Sequence, residues 1–136
     1  MVKLWIVAVV ATILAISTTA RIHSIIDFYG DVTCHFPAYK YKLDVWEADN
    51  IKDDHLASFE AKISFRPHKV NFTVHDYGDG NNFYEFYFII IHNCTDTGEV
   101  HKAEWPLPDV PVVDGRYSNY TQIYMTNMGE PTNEEL

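Results

Sequence analysis

The chain has 136 residues, with 19 acidic against 10 basic side chains and a formal net charge of −9. This length suits one domain. The acidic excess argues against nucleic-acid binding, which depends on Lys and Arg replacing counterions, and against simple electrostatic attraction to anionic lipid.

The N-terminus has the pattern of a secretory signal peptide. A basic start ending at Lys3 precedes an uncharged, largely apolar stretch over 4–16, and small residues run to Ala20. These features predict a signal peptide over residues 1–20, cleaved after Ala20. The alternative is a transmembrane anchor, for which the apolar stretch is short.

Alternating apolar residues predict two strands at the start of the mature chain. The first lies within 22–35, either as one regular strand or as a strand with a bulge at Gly30, because an isolated Gly in a strand often marks a bulge. In the second, Tyr41, Leu43 and Val45 face inward. Trp46 then faces outward or lies where the alternation fails.

An acidic connection, Asp49–Asp54, follows; it is interpreted as a solvated loop, with a cation-binding loop as the alternative. The third strand is predicted over 59–65, with its apolar odd positions inward, and the fourth over 69–75, which leaves Asn71 facing outward. The turn at 76–82 resembles the start of a calcium loop, but Tyr87 stands where the closing Glu would be required.

The longest apolar run outside the N-terminus, residues 83–94, predicts a central strand rich in aromatic and β-branched residues. A sixth strand is expected over 100–105 and a last one over 116–125. Residues 128–136 are predicted to form a loose acidic tail. These patterns predict an all-β, seven-stranded β-sandwich over residues 21–127.

The chain contains two cysteines and three glycosylation sequons. In an oxidising compartment Cys34 and Cys94 predict a disulfide, with free thiols or a metal pair as alternatives. The sequons begin at Asn71, Asn93 and Asn119 and fit a protein that passes through the secretory pathway. Asn93 is the least favoured of the three because it adjoins Cys94.

Four short motifs occur in an order and spacing similar to those of the nematode transthyretin-like family. They are Gly30-x-x-x-Cys34, Leu43-Asp44-Val45-Trp46-Glu47-Ala48-Asp49, Asp53-Asp54-x-Leu56 and Ile91-His92-x-Cys94. The resemblance covers about residues 22–126. It implies a transthyretin-like sandwich, secretion and a disulfide between Cys34 and Cys94. Residues 66–72 depart from the family pattern, which has an Asp-rich turn and a Gly there.

Catalytic and metal-binding interpretations find little support in the pattern. The seven histidines form neither H-x-H nor HExxH, although His35 and His92 adjoin the two cysteines. Hydroxyisourate hydrolases share the transthyretin fold and use a C-terminal Tyr-Arg-Gly-Ser. This chain has those residue types only at 115–118, in another order. We therefore expect no enzyme activity and no cofactor.

The sequence thus predicts a secreted, non-enzymatic binding protein. Its partner would be an extracellular protein, a lipid or a small apolar ligand. Aromatic residues are enriched in interfaces, which makes Trp46 and Tyr117 the candidate contacts. Core packing is the competing interpretation for Tyr117, Tyr120 and Tyr124. The alternatives are a hydroxyisourate-hydrolase-like enzyme and a metal-dependent extracellular module.

Overall fold

The computed structural model describes residues 22–78, 80 and 82–136, which form strands and loops with no α-helix. The ten strands in these ranges are β1 Ser24–Thr33, β2 Tyr39–Glu47, β3 Asp54–Ser64, β4 His68–Asp76, β5 Phe83–Tyr84, β6 Phe86–His92, β7 His101–Pro106, β8 Val110–Pro111, β9 Gly115–Tyr124 and β10 Glu130–Pro131. The all-β prediction is confirmed. Seven strands were predicted, and the three additional ones, β5, β8 and β10, have only two residues each, too few to show an alternating pattern.

Two sheets enclose one hydrophobic core in a sandwich-like arrangement. One sheet has the order β4-β1-β9, and the other has the order β10-β7-β6-β2-β3. All pairings are antiparallel except that of β1 with β9. Phe28 of the first sheet contacts Phe86 and Phe88 of the second edge to face, with ring centroids 5.3 and 5.8 Å apart. Such aromatic pairs add specific packing to the burial of apolar area.

The run over 83–94 contains the central strand of the larger sheet, as predicted, since β6 lies between β7 and β2. The run is divided at Glu85. Before this residue, β5 pairs with β8 in a separate two-stranded sheet. After it, β6 is buried along most of its length.

Of the two forms predicted for the first strand, the regular strand is confirmed and the bulge at Gly30 is absent. β1 pairs without a register shift with β4 on one side and with β9 on the other. The Gly is required because a Cβ at this position would lie 1.8 Å from the Thr121 carbonyl oxygen. Close approach of a neighbouring backbone is the other common reason for Gly in a strand.

The end of β3 also differs from the prediction. Ile63 and Phe65, expected inward, are 61% and 75% exposed. The pairing of β3 with β2 shifts between Tyr41 and Leu43, so that β3 holds one extra residue. One extra residue moves every later side chain to the other face of the sheet.

A disulfide joins Cys34 and Cys94, as predicted, with their Cα atoms 5.9 Å apart. Cys34 follows β1 and Cys94 follows β6, so the bond links the two sheets where these strands end.

The prediction for the N-terminus stays a prediction, whereas the prediction of a loose C-terminal tail is partly wrong. The predicted signal peptide lies outside the described residues. Within them, no helix has the length and apolar character needed to cross a bilayer. The C-terminal segment over 128–136 is not entirely loose, because Glu130 and Pro131 pair with Lys102 and His101 of β7.

Candidate partner-binding surfaces

An aromatic row crosses the outer face of the five-stranded sheet. It consists of His55, Trp46, Tyr87 and Pro106, one residue from each of four adjacent strands. Register places Trp46 opposite both His55 and Tyr87, and Tyr87 opposite Pro106. Side chains held on neighbouring strands in this way form a rigid surface, which lowers the conformational entropy lost when a partner binds.

Trp46 faces away from the core, in agreement with one of the two orientations predicted. Its neighbours Val45 and Glu47 are buried, whereas Trp46 is only partly so. The His55 ring packs edge-on against the indole at a centroid distance of 4.9 Å. The indole Nε1 is buried without a hydrogen-bond partner, which is unusual for a Trp N–H. Buried polar groups without partners are rare, and functional sites are one place where they occur.

Tyr87 connects the row to the acidic loop. Its hydroxyl donates to Asp53 Oδ2 at 2.5 Å, and Asp53 Oδ1 accepts from the Asp49 amide at 3.2 Å. Partial burial, together with this hydrogen bond, raises the pKa of Tyr87 to about 12. The same bond is the largest cause of the lowered pKa of the Asp53 carboxyl. The acidic loop is therefore bonded to the sheet through Asp53.

Carboxylates border the row on the side of Tyr87. A shallow cavity of about 200 Å³ is lined by Ala48, Glu85, Phe86, Tyr87, Glu104, Pro106, Leu107 and Asp109. Its three acidic side chains are all exposed. Two other cavities, of about 270 and 310 Å³, have mixed linings that include Glu99 with Val100 in the first and Glu85 with Phe83 in the second. An apolar ligand requires a mainly apolar pocket, which none of these three provides.

Tyr117, the second predicted contact, faces inward and packs partly buried against the core. Tyr120 and Tyr124 lie on the other face of β9, where they are 53% and 58% exposed. Core packing was thus the wrong interpretation for these two. With Tyr29 of β1, which is 44% exposed, they form the tyrosine face of the three-stranded sheet. The alternation of Tyr29 with the buried Phe28 and Gly30 was the signal for it in the sequence.

Hydrogen bonds order the polar residues of the tyrosine face. The Arg116 guanidinium donates twice to Asp27, at 2.5 and 2.8 Å, and Thr73 donates to the same carboxylate at 2.6 Å. The bond from Arg116 is the largest cause of the lowered pKa of Asp27. Tyr120 donates to Asp31 Oδ2 at 3.0 Å. This surface is also preorganised.

The two histidines beside the cysteines have different environments. His92 is fully buried; its Nδ1 accepts from the Cys94 amide at 3.1 Å, and its Nε2 donates to the Met128 carbonyl at 3.1 Å. Burial lowers the pKa of His92 to about 4. His35 is exposed and its ring packs on Phe36. Among the described residues, no group of three or more His, Cys, Asp or Glu could hold a metal ion.

The three sequons have unequal surroundings. Asn71 is exposed on β4. Asn93 is partly buried, and its Oδ1 accepts from the Lys40 amide at 2.7 Å. Asn119 lies on the inward side of β9 with its Oδ1 buried and without a hydrogen-bond partner. A glycan on Asn119 would therefore require this part of β9 to move.

Comparison with known proteins identifies one family. The family model described as "Caenorhabditis elegans protein of unknown function (DUF870)" matches residues 30–134, which is most of the chain. No curated protein and no solved structure matches.

Proposed function

We propose that this chain, which belongs to the Caenorhabditis elegans family of unknown function matched above, is a secreted, non-enzymatic binding protein with a transthyretin-like sandwich. Three features support secretion: the apolar N-terminal pattern, the sequons and the disulfide, which is rare in reducing compartments. Support for a transthyretin-like sandwich comes from the two packed sheets and from the motifs that resemble that family.

The aromatic row is the single observation that carries the proposed binding role. Trp and Tyr dominate the energetics of protein interfaces when they lie near the centre of a well-packed patch. Here they stand side by side on the middle strands of a sheet, with Trp46 on β2 and Tyr87 on β6. The row therefore has the composition and rigidity of an interface centre.

Charge indicates the chemistry of the partner. The cavity next to Tyr87 carries three exposed carboxylates, and Asp53 and Asp54 follow in the acidic loop. An acidic border around an aromatic centre is complementary to Lys and Arg, which can also stack on an indole or phenol ring. We therefore propose a basic segment of an extracellular protein as the partner. Anionic lipid would be repelled, and the described cavities are too polar for an apolar ligand.

Affinity measurement with variants would test this role. The oxidised protein would first be used to capture partners from extracellular membrane extract, and each candidate would then be purified and titrated. We expect Trp46→Ala to weaken binding at least tenfold, and affinity to fall as salt rises. Tyr124→Ala, on the opposite sheet, is the matched control. Equal affinities for the two variants would contradict the proposed surface.

A second variant separates binding from folding. Glu104 is exposed and borders the cavity, so Glu104→Lys reverses a charge without disturbing the core. We expect it to weaken binding of a basic partner while the melting temperature stays within a degree or two of the wild type. If charge reversal leaves affinity unchanged, the partner is not recognised through the acidic border.

A hydroxyisourate hydrolase is the alternative proposed function. His23 Nε2 and His75 Nδ1 lie 3.0 Å apart, and Arg116 is on the same sheet as His75. However, Asp27 binds the Arg116 guanidinium, and Tyr117 faces the opposite side of β9. Purified protein that leaves hydroxyisourate to decay at its spontaneous rate would exclude this function.

A further inference from the structure

We propose that Asn71 carries an N-linked glycan whose first sugars pack across Tyr29 and Tyr120 on the tyrosine face. This inference rests on the proposed secretion, because N-linked glycans are added only in the secretory pathway. It is independent of the aromatic row, which lies on the other sheet. It assigns an occupant to an exposed aromatic surface that the proposed binding role does not use.

Strand register places the three residues in one line. Asn71 of β4 is opposite Tyr29 of β1, and Tyr29 is in turn opposite Tyr120 of β9. All three side chains are exposed and share the outer face of the sheet. Because adjacent strands are about 4.8 Å apart, the line from Asn71 to Tyr120 spans about 10 Å. A glycan that leaves Asn71 toward the centre of the sheet must therefore cross both rings.

Both rings are positioned for such a contact. Their centroids are 5.5 Å apart at an interplanar angle of 53°, so the two tilted rings are in contact with each other. The hydroxyl of Tyr120 is bonded to Asp31 at 3.0 Å, which fixes the ring over the sheet. The C–H faces of a sugar are apolar, and covering exposed ring area with them removes apolar surface from water.

The surroundings of the line suit a sugar as well as its centre does. Ser118 and Gln122 flank Tyr120 on the same face of β9, and Lys69 lies beside Asn71 on β4. These exposed side chains offer hydrogen bonds to sugar hydroxyl groups. An aromatic centre with polar residues at its border is the composition needed to cover one face of a sugar while bonding its edges.

Site-specific mass spectrometry gives the first test. The full chain would be produced in a eukaryotic secretory host, and glycan occupancy would be measured at each sequon. We expect Asn71 to be occupied and Asn119, which faces inward, to be empty. Secreted protein that is glycosylated elsewhere but not at Asn71 would overturn the proposal.

Tyrosine nitration by tetranitromethane tests the packing itself. In glycosylated protein we expect Tyr29 and Tyr120 to react at least fivefold more slowly than in the Asn71→Gln variant. Tyr124, exposed on the same face of β9, is the internal control and should react equally in both. Equal nitration of Tyr29 with and without the glycan would overturn the proposal. If the tyrosines are protected equally in both proteins, something other than the glycan, such as a second copy of the chain, covers the face, and the proposal is overturned.

A parallel expression separates this proposal from the proposed secretion. If the chain remains unglycosylated inside the cell, the same chain is placed behind a secretion leader of the host. Occupied Asn71 and protected tyrosines in that protein would support the packing of the glycan on the tyrosine face. The retention of the natural chain inside the cell would count against its secretion. If Tyr29 and Tyr120 are not protected in that glycosylated protein, the proposed packing of the glycan is overturned, and this result says nothing about secretion of the natural chain.

Discussion

The buried imidazole of His92 predicts a specific loss of stability in acid. The pKa of an unfolded His is about 6.5, and burial lowers that of native His92 to about 4. Between these values the unfolded state binds more protons than the native state, so the free energy of unfolding falls as pH falls. The stability that the neutral, buried imidazole of His92 contributes is fully present above pH 6.5 and is lost progressively toward pH 4.

The structure sets the size of this effect. Each pH unit in the interval costs about 1.4 kcal/mol, so this one group accounts for at most about 3.5 kcal/mol. That is a large share of the 5 to 15 kcal/mol, roughly, by which a domain is stable. The assay is urea unfolding of the oxidised protein at half-unit steps from pH 7 to 4, followed by tryptophan fluorescence.

Comparison with variants isolates His92 from the other titrating groups. His92→Gln can still donate to the Met128 carbonyl but cannot take up a proton, so its stability should depend less on pH by about 1.4 kcal/mol per unit. His101 bonds the same carbonyl and is one of the groups that lower the pKa of His92, so His101→Gln should reduce the pH dependence, but by less than His92→Gln does. The reasoning would be refuted if the wild type and His92→Gln lost stability in parallel between pH 6.5 and 4.

Three further predictions concern other parts of the fold. Gly30→Ala should destabilise the protein by about 3 kcal/mol in urea unfolding, because its Cβ would overlap a carbonyl of β9. Replacing Cys34 and Cys94 with Ser should cost about 4 kcal/mol in the same assay, since the bond closes a loop of 60 residues. Tyr87→Phe removes the hydrogen bond that contributes most to the low pKa of Asp53, so an NMR titration should find that carboxyl at a higher pKa.

Each of these predictions has a control. Gly98→Ala meets open space and should cost only about 1 kcal/mol, for its positive φ of 75°. A similar cost at Gly30 would mean that β9 can move away. Reduction of the wild type should reproduce the loss in the double Ser variant. The pKa of Asp27, which Arg116 and Thr73 lower, should not respond to Tyr87→Phe.

Local pattern was sufficient to locate most strands but not to orient every side chain. Val70 and Val74 are buried as their alternation predicts, because β4 keeps one register along its length. Ile63 obeys the same alternation in the sequence and is exposed, because a register shift with β2 reverses the faces near the end of β3. A shift of this kind depends on the neighbouring strand, so it cannot be recognised in the sequence of the strand that contains the extra residue.

The candidate surfaces also combine features that the sequence predicts with features that depend on the tertiary structure. Trp46 was identifiable from its outward position in β2, but its alignment with Tyr87 and Pro106 depends on which strands become neighbours. Tyr117 was selected and proved to face inward. Tyr29 adjoins the buried Phe28 and is exposed, because inward and outward positions in a strand differ by one residue.

The sequence alone determined the all-β class, the central strand and the cysteine pair, since these depend on residue type, periodicity and count. Only the tertiary structure decided that Asn71, Tyr29 and Tyr120 form one line, and that β9 approaches β1 closely enough to require Gly30. Both outcomes arise from pairing between strands far apart in the chain. Periodicity reports which face of a strand is buried, whereas the neighbours of that strand are set by long-range packing.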